Sequence, residues 1–203
     1  MLFLVALLLF QLPELSGSKH TDPLPPGLAA AVTAKLADGG VRATVGANTL
    51  TFWWVKQLAM KSAPPAWTEV PEGTLTGAVT VEKDFRDVRG RVIKAGTYTL
   101  RYAVQPANGD HLGVSPFREF LLLSPAAQDT DPAPQTHDKL IDLSKQTIGG
   151  SHPAVWSLDP PVAAEAALTV HTTELGHKAL VMEVPIAGGT LRFGLVLIGK
   201  IEA

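Results

Sequence analysis

The sequence predicts an all-β protein, and three observations support this prediction. Segment after segment alternates apolar and polar residues with a period of two, as side chains do along half-buried antiparallel strands. Gly, Pro, Asn or Asp bounds each segment. The segments, about eight or nine in all, follow one another at short and fairly regular spacing, which is typical of a β-sandwich or a barrel. Of these two we expect a two-layer antiparallel β-sandwich with one short helix.

The chain begins with the pattern of an export signal. Residues 1–12 hold ten large apolar side chains and no charged one. This run matches the core of a secretory signal and falls short of the ~20 residues that span a bilayer, although no Lys or Arg precedes it. We therefore predict a cleaved leader at residues 1–18 and a periplasmic or extracellular protein. Retention of the leader as an anchor is the alternative, which Pro13 disfavours.

The remainder of the 203-residue chain, residues 19–203, is long enough for one domain with a sizeable core. Residues 124–136 are rich in Pro, Asp and small side chains, which predicts a surface loop with little burial. Too few strong strands follow this loop to form a second sandwich. We therefore interpret it as an excursion within a single β-sandwich domain.

The first predicted elements are two strands, residues 32–36 and 41–45, joined as a hairpin by Asp38-Gly39-Gly40. The alanines of residues 28–36 would also suit a helix. Alternation or continuous apolar character then predicts strands at residues 50–55, 75–81, 97–105, 117–123, 168–170, 180–184 and 191–198.

A single amphipathic helix is predicted within residues 138–147. Leu140, Ile141 and Leu143 would dock it on a sheet, and Gly149 with Gly150 would end it. The last two strands are predicted to pair through the turn at residues 187–189.

Composition excludes several classes of function. The formal net charge of −2 offers no field that would attract nucleic acid, and the absence of cysteine rules out disulfides, thiolate metal sites and a cysteine nucleophile. Ser115, Ser151 and Ser157 lie outside any Gly-x-Ser-x-Gly elbow. We predict no catalytic residue and no cofactor, and we favour a protein that is not an enzyme.

The loop around Asp110 and His111 joins two predicted strands, and loops at the ends of strands often carry function. One Asp-His pair supplies at most two of the three or four ligands of a metal site. His171, Glu174 and His177 form the closest other grouping, around a predicted turn at residues 172–176. A metal site at His111, His171, His177 and Glu174 is therefore an alternative to a plain turn or to a binding loop.

Four tryptophans are candidates for a binding surface, because exposed indoles stack on sugars and anchor interfaces. Trp53 and Trp54 are neighbours in a strand, so one of them faces the core and the other faces solvent or a covering element. We predict a contact surface made of Trp53 or Trp54 together with Asp110 and His111.

Residues 84–92 read DFRDVRGRV and alternate carboxylates with guanidiniums. Asp84, Arg86, Asp87, Arg89 and Arg91 would form either an anion or carbohydrate site or a solvated strand edge whose charges discourage edge-to-edge pairing. We favour the solvated edge.

Three stretches carry a resemblance to known proteins: FWWVK at residues 52–56, RGRVIKAGTYTLRY at 89–102 and NGDHLGVSPFREFLLLSPA at 108–126. They resemble a group of secreted bacterial β-rich proteins of unassigned activity. The AGTYTL piece is similar to the DUF2911 family and to carbohydrate-binding and fibronectin-like sandwiches. The resemblance implies export and a sandwich, and it assigns no catalytic residue.

These observations lead us to expect an exported, non-enzymatic binding module or accessory subunit of an envelope or extracellular assembly. Its partner would be another protein or a glycan, with no nucleic acid and no stable membrane span after leader cleavage. A metal-binding protein or metal-dependent enzyme using Asp110 and His111 is one alternative. A carbohydrate-binding module with exposed tryptophans is the other.

Overall fold

A computed structural model of the chain describes residues 13–106, 115–159 and 165–199. In this part of the chain there are twelve strands, two α-helices and one 3₁₀ turn, Trp67–Glu69. The helices are α1 (Ala30–Thr33) and α2 (His137–Ile148). The strands are β1 (Leu15–His20), β2 (Gly40–Val45), β3 (Asn48–Trp54), β4 (Leu75–Val81), β5 (Phe85–Arg86), β6 (Val92–Ile93), β7 (Gly96–Val104), β8 (Glu119–Pro125), β9 (Ala154–Asp159), β10 (Val170–Thr172), β11 (Lys178–Ile186) and β12 (Gly189–Ile198).

Ten strands form one antiparallel sheet in the order β1-β2-β3-β4-β7-β8-β9-β12-β11-β10, while β5 and β6 form a separate hairpin. The sheet curls until it is nearly barrel-shaped. Its two ends approach closely at Gly17 of β1. A Cβ atom placed on this glycine would lie 2.8 Å from Leu180 Cδ1 of β11. The protein is all-β as predicted, but the predicted two-layer sandwich is wrong. Period-two patterning buries one face of each strand in either architecture, and only the pairing order tells them apart.

Aromatic side chains fill the inside of the curled sheet. Phe52 stacks on Trp54 with ring centroids 5.5 Å apart, and Trp156 lies 5.7 Å from Phe52. Phe193 of β12 meets the Trp54 ring edge-on at 5.4 Å. The 3₁₀ turn adds Trp67, whose ring lies 4.9 Å from that of Phe193. Such offset and edge-to-face pairs add about 0.5–1.5 kcal/mol each to the burial of their area.

Most predicted elements are confirmed. The helix spans His137–Ile148 and ends at Gly149, whose φ of 64° is the left-handed conformation that favours glycine. The final hairpin is present, with β11 and β12 antiparallel. The strands predicted at residues 50–55, 75–81, 97–105 and 117–123 correspond to β3, β4, β7 and β8.

The predicted first hairpin is wrong. Residues 30–33 are helical, and Leu36 makes only an isolated bridge with Val55. The strand predicted at residues 41–45 is present as β2, but it pairs with β3 and with β1. Strand β1 was not predicted, because most of its residues were assigned to the leader. The predicted leader boundary after Ser18 falls within β1, and the cleavage point stays a prediction. None of the helices in the described residues has the length and apolar character needed to cross a membrane.

A buried ion pair organises the outer face of β7. Arg101 is fully buried, and its Nε and Nη2 donate hydrogen bonds to Asp129 Oδ2 and Oδ1 at 2.7 and 2.9 Å. Its Nη1 donates to the carbonyls of Gly73 and Ala133 at 2.8 and 2.9 Å. Thr99 donates a further hydrogen bond to Asp129 Oδ2 at 2.5 Å. The expectation of little burial in residues 124–136 holds for most of the segment but fails at Asp129, which is only 2% exposed.

We predict that Arg101→Met destabilises the protein by about 3–5 kcal/mol, because it leaves the Asp129 carboxylate buried without its partner. Chemical denaturation measures the loss. The matched control is Arg42→Met, which breaks a pair with Asp22 whose side chains are 38% and 47% exposed. That control should cost no more than about 1 kcal/mol. Equal losses in the two variants would contradict the role given to the buried pair.

Candidate anion-binding cleft

A cleft of about 280 Å³ lies on the outer face of the sheet. We call it the outer cleft. It lies between α2, strands β8 and β9, the turn of the β5–β6 hairpin and the chain on either side of residues 107–114. The residues that line it are Arg89, Arg91, Gln105, Pro106, Ser115, Phe117, Glu119, Phe120, His137, Ile141, His152, Pro153, Val155 and Ser157.

Helix α2 forms one wall because its buried face is fixed to the sheet. Leu140 packs with Leu122 of β8 and Ala103 of β7. The Ser144 hydroxyl donates to the Ala154 carbonyl at 3.0 Å and accepts the Ala154 N–H at 2.9 Å. Since Ile141 follows Leu140 on the helix, these contacts hold the Ile141 side chain at the cleft.

The floor of the outer cleft consists of outward-facing residues of neighbouring strands. Phe120 pairs with Ser157, and Leu122 with Val155, in the register of β8 and β9. Phe120 and Val155 are half-buried and pack with the α2 cluster. The outer cleft therefore combines an apolar floor with polar groups supplied by its other walls.

Asp87 shapes the turn that carries the two arginines. Its side chain is fully buried, and Oδ1 accepts the backbone N–H groups of Arg89 and Arg91 at 2.9 Å each. Oδ2 accepts a hydrogen bond from Arg91 Nε at 2.8 Å. Val88 anchors the same turn by packing against Ala179 and Val196 of β11 and β12. The backbone at Arg89 is thus held by its neighbours rather than by its own side chain.

Arg89 is the unpaired cation of this turn. Its Nε atom is buried and has no hydrogen-bond partner, and no carboxylate in the described residues forms an ion pair with its guanidinium. Burial, followed by the charge of Arg91, lowers the pKa of Arg89, against the opposing effect of Asp87. Because arginine stays charged in proteins, the lowered pKa reports a positive charge that has lost part of its hydration and that is repelled by Arg91, with Asp87 offsetting only part of this cost.

The other polar groups of the outer cleft differ in their pairing. Glu119, on β8, is half-buried. His137 Nδ1 lies 2.8 Å from Glu72 Oε1, while the side chain of His152 is exposed. The Ser115 hydroxyl accepts the Phe117 N–H at 3.1 Å. The outer cleft thus contains the positive charge of Arg89, which has no ion-pair partner in the described residues, and the negative charge of Glu119.

The predicted contact surface at the tryptophans is covered. Trp53 and Trp54 are each 4% exposed. Trp54 packs in the aromatic interior, whereas Trp53 lies on the outer side, where its Nε1 donates to the Asp22 carbonyl at 3.2 Å and His20 meets it edge-on. Trp67 and Trp156 are also buried. Neither Trp53 nor Trp54 presents an indole face to solvent.

Asp110 and His111, the other half of the predicted surface, lie outside the described residues. Pro106 and Ser115, two of the described residues that precede and follow them in the chain, both line the outer cleft.

His171 of the predicted metal set lies between two carboxylates. Its Nδ1 is 2.8 Å from Glu165 Oε1, and its Nε2 is 3.2 Å from Asp159 Oδ2, an ion-pair distance without hydrogen-bond geometry. Burial raises the pKa of Asp159, and the charges of Glu174 and Glu165 raise it further against that of His171. In the part of the chain that the structure describes, no three His, Asp or Glu side chains are grouped so as to hold a metal ion.

Sequence reasoning named Arg89 and Arg91 but favoured the solvated-edge interpretation. It predicted Ile141 only as a residue that docks the helix, and it did not single out Phe120 or Val155, which complete the walls of the cleft. Phe120 lies in the strand predicted at residues 117–123, but the strand that carries Val155 was not predicted, so no sequence signal indicated the outward position of Val155. Comparison with protein-family models, with curated proteins and with solved structures finds no match to this chain.

We predict that stability falls as the pH is lowered from 7 to 5, in part because of His177. Burial lowers the pKa of this histidine below its ordinary value of 6.5, with Asp159 opposing the effect. The unfolded state then binds the proton more readily than the folded state, so stability is lost as the pH falls below about 6.5.

Denaturation curves across this range test the effect. His177→Gln should flatten the dependence, while His152→Gln, at an exposed position, serves as the matched control. A slope left unchanged by His177→Gln would contradict the assignment.

Proposed function

We propose that this chain is an exported, non-enzymatic binding protein that holds a small organic anion in the outer cleft. The observation that carries the proposal is the guanidinium of Arg89, which is partly buried, has an unpartnered Nε and lies in a cleft with an apolar floor. The apolar run of residues 1–12 supports export.

The energetics favour an anion at Arg89. A buried donor without a partner costs about 1–3 kcal/mol, and more when the group is charged. An anionic group at the Nη atoms of the same guanidinium would offset the lost hydration of its charge and would form charge-assisted hydrogen bonds, which are roughly twice as strong as neutral ones.

The site is also preorganised. Asp87 fixes the backbone on both sides of Arg89, and Val88 attaches the turn to the sheet. A ligand would therefore not have to order this segment on binding, and that lowers the free-energy cost of association.

The apolar lining favours an organic ligand over an inorganic ion. Phe117, Phe120, Ile141 and Val155 line the same space as Arg89. An ion that is entirely polar would leave these side chains in contact with water, whereas a ligand with an apolar body would cover them.

The earlier alternatives have less support. A glycan that stacks on tryptophan needs an exposed indole, and all four indoles are buried. The histidines of the metal alternative that the structure describes, His171 and His177, belong to no metal-holding group in the described residues. Membership of a larger envelope or extracellular assembly stays a prediction.

We predict that 2-naphthalenesulfonate binds the purified protein and that Arg89→Met weakens this binding about 10- to 100-fold, as expected for loss of a charged hydrogen bond. Isothermal titration calorimetry above the pH range of histidine titration keeps Arg89 as the relevant cation. The neutral analogue 2-naphthalenesulfonamide should bind the wild type no better than it binds Arg89→Met.

The matched control is Arg86→Met, which removes an exposed arginine of the same hairpin whose Nη1 donates to the Gly90 carbonyl. This residue does not line the outer cleft. The proposal would be refuted if Arg89→Met bound the sulfonate as tightly as the wild type does. It would also be refuted if Arg89→Met and Arg86→Met weakened binding equally.

A further inference from the structure

We infer that the ligand of the outer cleft is a monocarboxylate with an apolar tail, such as a medium-chain or aryl acid. The inference rests on the proposed function and names the class of anion that the outer cleft selects. Three features of the site support it: its volume, its balance of charges and the geometry of the free guanidinium.

The volume indicates the size of the part of a ligand that this open cleft covers. A space of 280 Å³ corresponds to about nine water molecules at roughly 30 Å³ each. Covalently bonded atoms pack more densely than water, so the cleft accommodates roughly nine to fourteen non-hydrogen atoms. This is the size of an eight- to twelve-carbon acid and is much smaller than a phospholipid.

The charges limit the ligand to one anionic group. Arg91 forms an ion pair with Asp87, and His137 forms a hydrogen bond with Glu72. Among the described lining residues, Arg89 is therefore the cation without an ion-pair partner. Glu119 adds a negative charge to the same lining. A second carboxylate on the ligand would meet Glu119 without a cation to offset the repulsion.

The geometry of Arg89 favours a carboxylate as the anionic group. Its side chain donates no hydrogen bond to the described residues, and Nε is held out of water without a partner. The two Nη atoms, which are not shielded in this way, form a planar pair of donors that matches the two oxygens of a carboxylate. The tail would then lie over Phe120, Ile141 and Val155, where each buried methylene strengthens binding about fourfold.

Competition against bound 2-naphthalenesulfonate tests the inference, with octanoate, butanoate and octanedioate as competitors. We expect octanoate to displace the sulfonate at a concentration at least about tenfold lower than either of the others. Butanoate lacks the apolar tail, and octanedioate adds the second charge at nearly the same length.

The outcomes separate the inference from the proposed function. If the sulfonate binds without needing Arg89, the proposed function fails. If sulfonate binding needs Arg89 but octanoate does not displace it, or octanedioate displaces it equally well, the proposed function stands and this inference is overturned. Displacement by butanoate at the same concentration as octanoate would also overturn it.

A specificity variant provides an independent readout. Glu119→Gln removes the negative charge from the lining and keeps the side chain's size. We therefore expect it to bring the affinity of octanedioate at least about threefold closer to that of octanoate, which corresponds to about 0.7 kcal/mol. An unchanged ratio between the two acids would contradict the role given to Glu119. Thermal unfolding of the variant checks that its fold is retained.

Discussion

The outer face of the sheet depends on the buried ion pair of Arg101 and Asp129. Strand β7 places Arg101 on the side away from the aromatic interior, where an unpaired guanidinium would be strongly unfavourable. Asp129 and the carbonyls of Gly73 and Ala133 satisfy it, and in doing so they hold the chain that leads from β8 to α2 against the sheet. Helix α2 begins directly after this segment and supplies a wall of the outer cleft. The Arg101–Asp129 ion pair therefore helps to position helix α2, and with it one wall of the outer cleft.

The contrast between Arg101 and Arg89 explains why we propose Arg89, and not Arg101, as a ligand-binding residue. Both guanidiniums have lost part of their hydration. Arg101 meets a carboxylate and several carbonyls of its own chain, so its charge is fully used within the fold. Arg89 sits on a turn that Asp87 and Val88 hold in place, and its Nε meets no such group. A positive charge without an ion-pair partner, held in place by its neighbours beside an apolar floor, is typical of a binding site.

Period-two patterning was enough to predict β4, β7 and the β11–β12 hairpin, continuous apolar runs predicted β3 and β8, and the amphipathic placement of Leu140, Ile141 and Leu143 predicted α2. Those signals are local, since each depends on which face of one element is buried. The choice between sandwich and barrel depends on pairing between distant strands, such as the approach of β1 to β11 at Gly17. The partner of Arg101 lies 28 residues further along the chain, in a stretch whose composition resembles that of a loose loop. The solvated-edge interpretation of Arg89 could not be corrected from the sequence, because the walls facing it come from α2, β8 and β9.

Binding of a carboxylate to Arg89 is tested most directly by following the ¹H–¹⁵N NMR signal of the Arg89 Nε–H group. The signal is assigned by its loss in Arg89→Lys. Titration with octanoate should move this signal in a saturable manner, because the carboxylate binds the same guanidinium, while the Nε–H signal of Arg101 stays in place. An Arg89 signal that stays unmoved while octanoate binds elsewhere, or that moves no more than the signal of Arg86, would contradict it.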